Sequence, residues 1–293
     1  MIHPSCTPAR KDRGRGATIP AYYPRSEPVF HSARAPVAIA IGIALGAAGV
    51  PATAAGGPGC AATSGPGTAT LVELYTSEGC SSCPPADRWL SALVRAPSPT
   101  GPVVALAFHV DYWDYLGWRD RFARPAFTAR QRERVAAGGG EVVYTPQVLV
   151  AGRDFRGWGP ATALDRTVAD ARGRPAPAQL RLELSGPADD WRAQLDGAIT
   201  VAPGDTRVWL AVYGDGLASR VTRGENRGRA LRHDRVVGQL LGPFAPGPDG
   251  RVRAAVRVAP PAGVAATEAG VAAFAERSDG TVLQAVALAF CPD

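Results

Sequence analysis

Lysine is almost missing from this 293-residue chain: Lys11 is the only one. Arginine carries the positive charge, and alanine, glycine and proline abound, the mark of a GC-rich coding sequence rather than of a basic binding surface. The formal net charge is +6, but residues 1–55 hold six basic and two acidic groups, which leaves +2 for everything after them. Nucleic-acid binding needs a clustered basic face, so no nucleic-acid partner is expected. There is no glycine-rich phosphate loop and no Ser/His/Asp set in a recognisable context, so neither nucleotide nor hydrolase chemistry is indicated. A second Cys-x-x-Cys is missing, and past residue 55 only His109 and His233 remain as histidines. That is too little for a closed four-ligand zinc site, and no cofactor is expected. No repeat suggests a solenoid.

What is present begins with an apolar run, Val37 to Val50, preceded by Arg34 and followed by the small residues of Ala52-Thr53-Ala54. A spanning helix needs about 20 residues, and this run of 14 fits a signal-peptide core better, with an uncleaved anchor as the alternative. Residues 1–55 are therefore read as a targeting segment, and the protein as periplasmic or secreted, with no stable membrane insertion after cleavage. Four cysteines remain beyond it: Cys60, Cys80, Cys83 and Cys291. An even set in an oxidising compartment suggests disulfides. The natural pairing is a labile Cys80–Cys83 and a structural Cys60–Cys291; the alternative for the second pair is two buried or free thiols.

Composition is ordinary for a globular protein, 46% hydrophobic and 20% charged, and the length allows two domains. Residues 56–68 read as a Gly/Pro/Ser linker. Thr70–Thr76 reads as a strand, and Pro84 onward as a helix, since prolines suit a helix's first turn. Pro102–Val110 reads as a second strand, Pro125–Ala137 as a helix ended by three glycines, and Pro160–Arg172 as a last helix. Between them lie short strands at Val142–Tyr144, Gln147–Ala151 and Phe155–Arg156. The order over residues 69–174 is β-α-β-α-β-β-α. After the linker-like Arg174-Pro175-Ala176-Pro177, residues 178–291 read as strands split by turns, the pattern of a smaller antiparallel β-sandwich.

Cys80 and Cys83 sit where a strand gives way to a helix. The free amides and dipole of a helix N-terminus favour the thiolate, and a two-residue spacer lets the second thiol attack a mixed disulfide made by the first. Cys80, nearer the turn, would attack; Cys83 would resolve. The bland alternative is a permanent staple. Thr145-Pro146 could be a cis bond, presenting the Thr145 backbone to an extended partner beside the dithiol, or an ordinary edge-strand proline. Glu73, if buried near the cysteines, could relay the resolving thiol's proton, or it could face solvent. Asp87 reads as a surface acid. Tyr112 and Trp113, in an unusually aromatic stretch, could wall the dithiol. His109 could complete a Cys₂His set for copper(I), or be hydrogen-bonded in the core.

Four blocks, Val72–Asp87, Phe108–Trp118, Val142–Val150 and Arg223–Val237, resemble the bacterial secreted family called domain of unknown function 1223. The resemblance implies a thioredoxin-like α/β domain followed by the smaller all-β domain, with Cys80, Cys83 and Pro146 at the positions of the dithiol and cis-proline. It implies no substrate. Ser81-Ser82 departs from the Gly-Pro spacer of thioredoxins, so their potential does not carry over. The expectation is an exported thiol–disulfide oxidoreductase acting on protein thiols or disulfides, or on a redox partner. A copper(I) module or a non-catalytic binding protein on a stapled scaffold are the rivals.

Overall fold

The structure is a computed structural model that describes residues 59–291 except 97, 160, 188 and 189. The proposed targeting segment lies outside the described residues. Strands β1 (Gly59–Thr63) and β2 (Thr70–Thr76) are followed by helix α1 (Pro84–Arg95), β3 (Val103–His109) and α2 (Pro125–Ala137). Then come β4 (Gln147–Val150), β5 (Arg153–Asp154) and α3 (Ala161–Arg172). The rest is strand: β6 (Ala178–Ser185), β7 (Trp191–Ile199), β8 (Thr206–Gly214), β9 (Leu217–Arg220), β10 (Ala230–His233), β11 (Val236–Phe244), β12 (Arg251–Val258), β13 (Ala269–Arg277) and β14 (Val282–Ala289).

Every residue of β2 is buried. The strand runs parallel to β3 on one side and antiparallel to β4 on the other, and both its faces are covered. Alternation sends Val72 and Leu74 toward Ala86 and Leu90 of α1 and Leu164 and Val168 of α3. Leu71 and Tyr75 go to the opposite face, with Phe108 of β3 and Phe127 of α2. Strand β8 also divides its side chains between two cores. Ala211 and Tyr213 join the Tyr75 core. Val208, Leu210 and Val212 face Leu180, Leu182, Trp191 and Leu195 of the second sheet.

This architecture corrects the expected fold class. Among the described residues, 42% lie in strands and 19% in helices, and a helix-rich α/β thioredoxin-like domain followed by a separate β-sandwich is not what forms. One eight-stranded sheet, in the order β14-β13-β8-β11-β3-β2-β4-β5, takes strands from both expected halves. The seam is β11, which joins β8 antiparallel and touches β3 parallel at Val236 and Ala107. A backbone bond from the Ala107 amide to the Arg235 carbonyl, 2.8 Å, reinforces it. Gly238, Gly242 and Pro243 interrupt β11 with residues that read as turns, which hid the strand that makes the connection.

The second sheet has four strands, β1-β6-β7-β12. The expected linker thus contains a strand: β1 pairs along β6 through backbone groups that its glycine- and alanine-rich composition does not announce. Cys60 on β1 is disulfide-bonded to Cys291, as the pairing arithmetic suggested. Val142–Tyr144 lies outside the sheets, and the short strand expected at Phe155–Arg156 is two residues earlier, as β5.

Candidate dithiol site and its buried acid–histidine network

Cys83 is the N-cap residue of α1, and Pro84 and Pro85 fill the first helical positions. There the missing amides cost nothing, because no partner exists for them inside the helix. The turn before it is tight: the Cys83 amide reaches the Cys80 carbonyl at 3.3 Å, and the Cys80 amide reaches Ser77 at 3.2 Å. Gly79 is required there, since a Cβ would lie 2.9 Å from Cβ of Trp113. Both cysteines are free thiols. Both are buried, Cys80 at 1% exposure, because the aromatic stretch and a distant loop close over the turn.

The two thiols differ in kind. Cys80 Sγ lies 3.2 Å from Ser82 Oγ and 3.8 Å from the Thr145 carbonyl oxygen. Hydrogen bonding from Cys83, with Ser82 and Thr145 adding to it, outweighs burial and lowers the Cys80 thiol to about 6. Burial, then the contact with Cys80 and the charge of Asp87, pushes Cys83 well above the ordinary thiol range. Thr145-Pro146 is a cis bond, and the Trp113 indole donates to Thr145 Oγ1 at 2.7 Å. Tyr112 is half-buried, its hydroxyl pushed up to about 12, chiefly by burial. Thus Cys80, Cys83, Thr145 and Trp113 meet in one place, with Pro146 bonded to Thr145.

Glu73 does not join them as proposed. It sits on the face of β2 opposite α1, where its carboxylate accepts from Arg130 Nε at 2.9 Å and the Tyr75 hydroxyl at 3.2 Å. Arg130 also donates twice to Glu276, at 3.1 and 2.9 Å, so Glu73 belongs to a buried ion cluster. Strand alternation alone separates it from the dithiol.

The acid on the dithiol side is Asp87, and it is buried rather than at the surface. Thr76 donates to its Oδ1 at 2.8 Å, and its Oδ2 is 3.6 Å from His233 Nδ1. His233 Nε2 is 3.3 Å from Glu78 Oε1, and the Trp118 indole donates to Glu78 Oε2 at 2.9 Å. His109 pairs with Asp120 at 2.7 Å, and its ring centroid is 4.8 Å from that of His233. Burial opposes ionisation of Asp120, but the charge and hydrogen bond of His109 and the amides of Glu78 and Phe122 prevail and bring it to about 2. His109 moves upward against its own burial through the same pairing. Among the described residues, no three His, Cys, Asp or Glu side chains are already placed to hold a metal ion; His109 is a buried core histidine whose Nδ1 is taken by Asp120.

The covering loop comes from the strand-rich part of the chain. Asn226, fully buried, donates through Nδ2 to the carbonyls of Glu78 at 2.9 Å and Cys80 at 2.8 Å. Glu225 accepts the Ser81 amide at 2.9 Å. The polar Arg223–His233 segment thus closes over the site: Asn226 holds the Cys80 carbonyl, and His233 reaches Glu78 and Asp87 behind it. The signals for Asp87 were its helical spacing from Cys83 and the absence of another acid on that helix face.

The model for the family described as protein of unknown function, DUF1223, matches residues 71–276. The chain belongs to this family. The matched span of this DUF1223 protein includes the dithiol, the aromatic stretch, Thr145-Pro146 and the Glu225–His233 segment together. No curated protein matches it. A crystal structure of a protein from Agrobacterium tumefaciens is similar at 26% identity and a TM-score of 0.54, covering 76% of this chain and 95% of that one. The structure of HBP35 of Porphyromonas gingivalis shares the fold at 15% identity and a TM-score of 0.60, over 78% of this chain and 76% of the other.

Proposed function

We propose that this DUF1223 protein is an exported thiol–disulfide oxidoreductase, with Cys80 as the attacking thiol and Cys83 as the resolving one. The observation that carries the reading is the inequality of two free thiols at one helix start. Cys80 is drawn toward the thiolate at ordinary pH, while Cys83 is held as a thiol, and that is what a two-step exchange needs. Cys80 thiolate attacks a substrate disulfide, and Cys83 then displaces the substrate. The Thr145 carbonyl beside Cys80, steadied by Trp113, supports docking of an extended protein segment there, with Tyr112 near it. The Cys60–Cys291 disulfide fits an oxidising compartment, and a periplasmic or secreted location follows from the reading. Among the described residues no helix is long and apolar enough to cross a membrane.

The test is the reduction potential of Cys80–Cys83, by equilibration against glutathione with mass-spectrometric readout. A value between roughly −120 and −270 mV supports a cycling pair, and one below about −300 mV means a structural bridge and overturns the proposal. Cys80→Ser is expected to abolish exchange and Cys83→Ser to trap mixed disulfides.

A further inference from the structure

If the dithiol exchanges as proposed, Cys83 must lose a proton while sealed from water, and some buried group has to receive it. Asp87 follows Cys83 by four residues on α1, with its amide 3.1 Å from the Cys83 carbonyl, so the two side chains leave the same face of the helix. Its Oδ1 is occupied by Thr76, but Oδ2 points to His233 Nδ1, a buried ring nitrogen with no hydrogen-bond partner. From His233 the polar contacts run on through Glu78 to the indole of Trp118, which is only half-buried.

We infer that Asp87 is the proton acceptor for Cys83 during resolution of the mixed disulfide, and that His233 is the positioning residue that holds and balances it. This rests on the oxidoreductase reading of the same site. When Cys80 Sγ is bonded to a substrate sulfur, the Cys83 thiol gives its proton to Asp87. The Cys83 thiolate attacks Cys80 Sγ, the Cys80–Cys83 bond forms, and the bond to the substrate breaks. The substrate leaves as a thiolate and takes up a proton that Asp87 releases. The two thiols lose two electrons, and the substrate disulfide gains them. In the other direction the same steps run backward.

The titratable groups that act on Asp87 are Cys83 on its own helix, His109 from β3, Asp120 from the loop beyond β3, and His233 from β10, with Glu78 behind His233. Tyr112 faces the thiols themselves. Burial raises Asp87 above the usual carboxylate range, against the opposing pull of His233 and His109, and that brings an acid closer to the thiol it would serve.

The test follows the reduced full chain reacting with glutathione disulfide, with acid quenching and mass spectrometry to time the appearance and decay of glutathionylated Cys80. Asp87→Asn keeps the size of the side chain and an acceptor for Thr76. Loss of a proton acceptor is expected to slow decay by about 100-fold or more at neutral pH, with the appearance rate unchanged. A carboxylate that acted only by its charge would have the opposite sign, because its removal eases ionisation of Cys83 and speeds decay. Decay as fast as wild type or faster therefore overturns the inference. His233→Gln leaves Asp87 in place and is expected to move the pH profile of decay; an unmoved profile removes His233 from the role, and it remains readable if Asp87→Asn does not fold. If the wild-type protein forms no mixed disulfide, the oxidoreductase reading fails and this inference with it. If wild type cycles and Asp87→Asn keeps pace, only this inference fails.

Discussion

Two ion clusters are buried in this protein, and they are built from different cations. Glu73 of β2 and Glu276 of β13 are held by Arg130 and Arg134 of α2. On the other side of β2, Glu78, Asp87 and Asp120 share His109 and His233. Both clusters tie the first part of the chain to the last. The first has cations that keep their charge at any ordinary pH, matched one for one by carboxylates. The second has more acids than bases, and its bases are imidazoles, the side chains best suited to exchanging a proton. A cluster of the first kind fixes a structure. One of the second kind can hold a proton at one moment and release it at the next, and it is the second that backs the dithiol.

The sharpest way to break this comparison is Arg130→Met. Removing one partner of a buried ion cluster strands the others, and the expected loss is about 3–5 kcal/mol by chemical denaturation. Cys80 alkylation in the folded protein should keep its pH midpoint. A variant that melts with wild type, or one whose Cys80 midpoint moves, would mean that the two clusters are not separate in role.

A smaller effect concerns acid. Asp120 is depressed to about 2 in the folded protein, against an unfolded value near 4. Its contribution is present above pH ~4 and is lost as pH falls through about 2, some 2 kcal/mol in all. His109 is raised, so its contribution is full below about pH 6.5 and fades as pH rises through its folded value. Stability against pH should therefore fall at both ends, and Asp120→Asn should flatten both limbs. Glu276 also falls below its usual range, through Arg130 acting against burial, and Glu78 does so through its hydrogen bond with His233 against burial, so an acid limb should survive in Asp120→Asn, and Arg130→Met should remove the part of it that Glu276 supplies.

The smallest effect is expected at Glu225, an exposed carboxylate that occupies the Ser81 amide at the start of α1. It competes with the Cys80 thiolate for the positive end of the helix. Glu225→Gln should move the midpoint of Cys80 alkylation to lower pH by about half a unit or less. A move upward would mean that the loop aids the thiolate instead.

Local chemistry made part of this legible. The apolar run Thr70–Thr76, the paired prolines after Cys83 and the three glycines after Ala137 each act within a turn or a strand, and β2, α1 and α2 lie where those signals put them. The dithiol and Thr145-Pro146 were readable for the same reason. What failed depended on distant partners. No local pattern tells β11 that it will seat between β8 and β3, or β1 that β6 will accept it. Glu73 reads as either a relay beside the cysteines or a solvent-facing acid, and it is neither, because its face of β2 enters the buried core that holds Arg130. Asp87 looked like a surface acid because the residues that bury it include His233, which is 146 positions further along the sequence.

The Cys60–Cys291 bond has a meaning in the order in which the chain is made. Cys60, Cys80 and Cys83 emerge within a short stretch, and the proper partner of Cys60 follows 231 residues later. For most of synthesis the thiols nearest to Cys60 are the two that the proposed exchange needs free. For the proposed oxidoreductase, Cys291 has to reach Cys60 before the dithiol captures it, and β14, which carries the chain to Cys291, would settle which cysteines remain free.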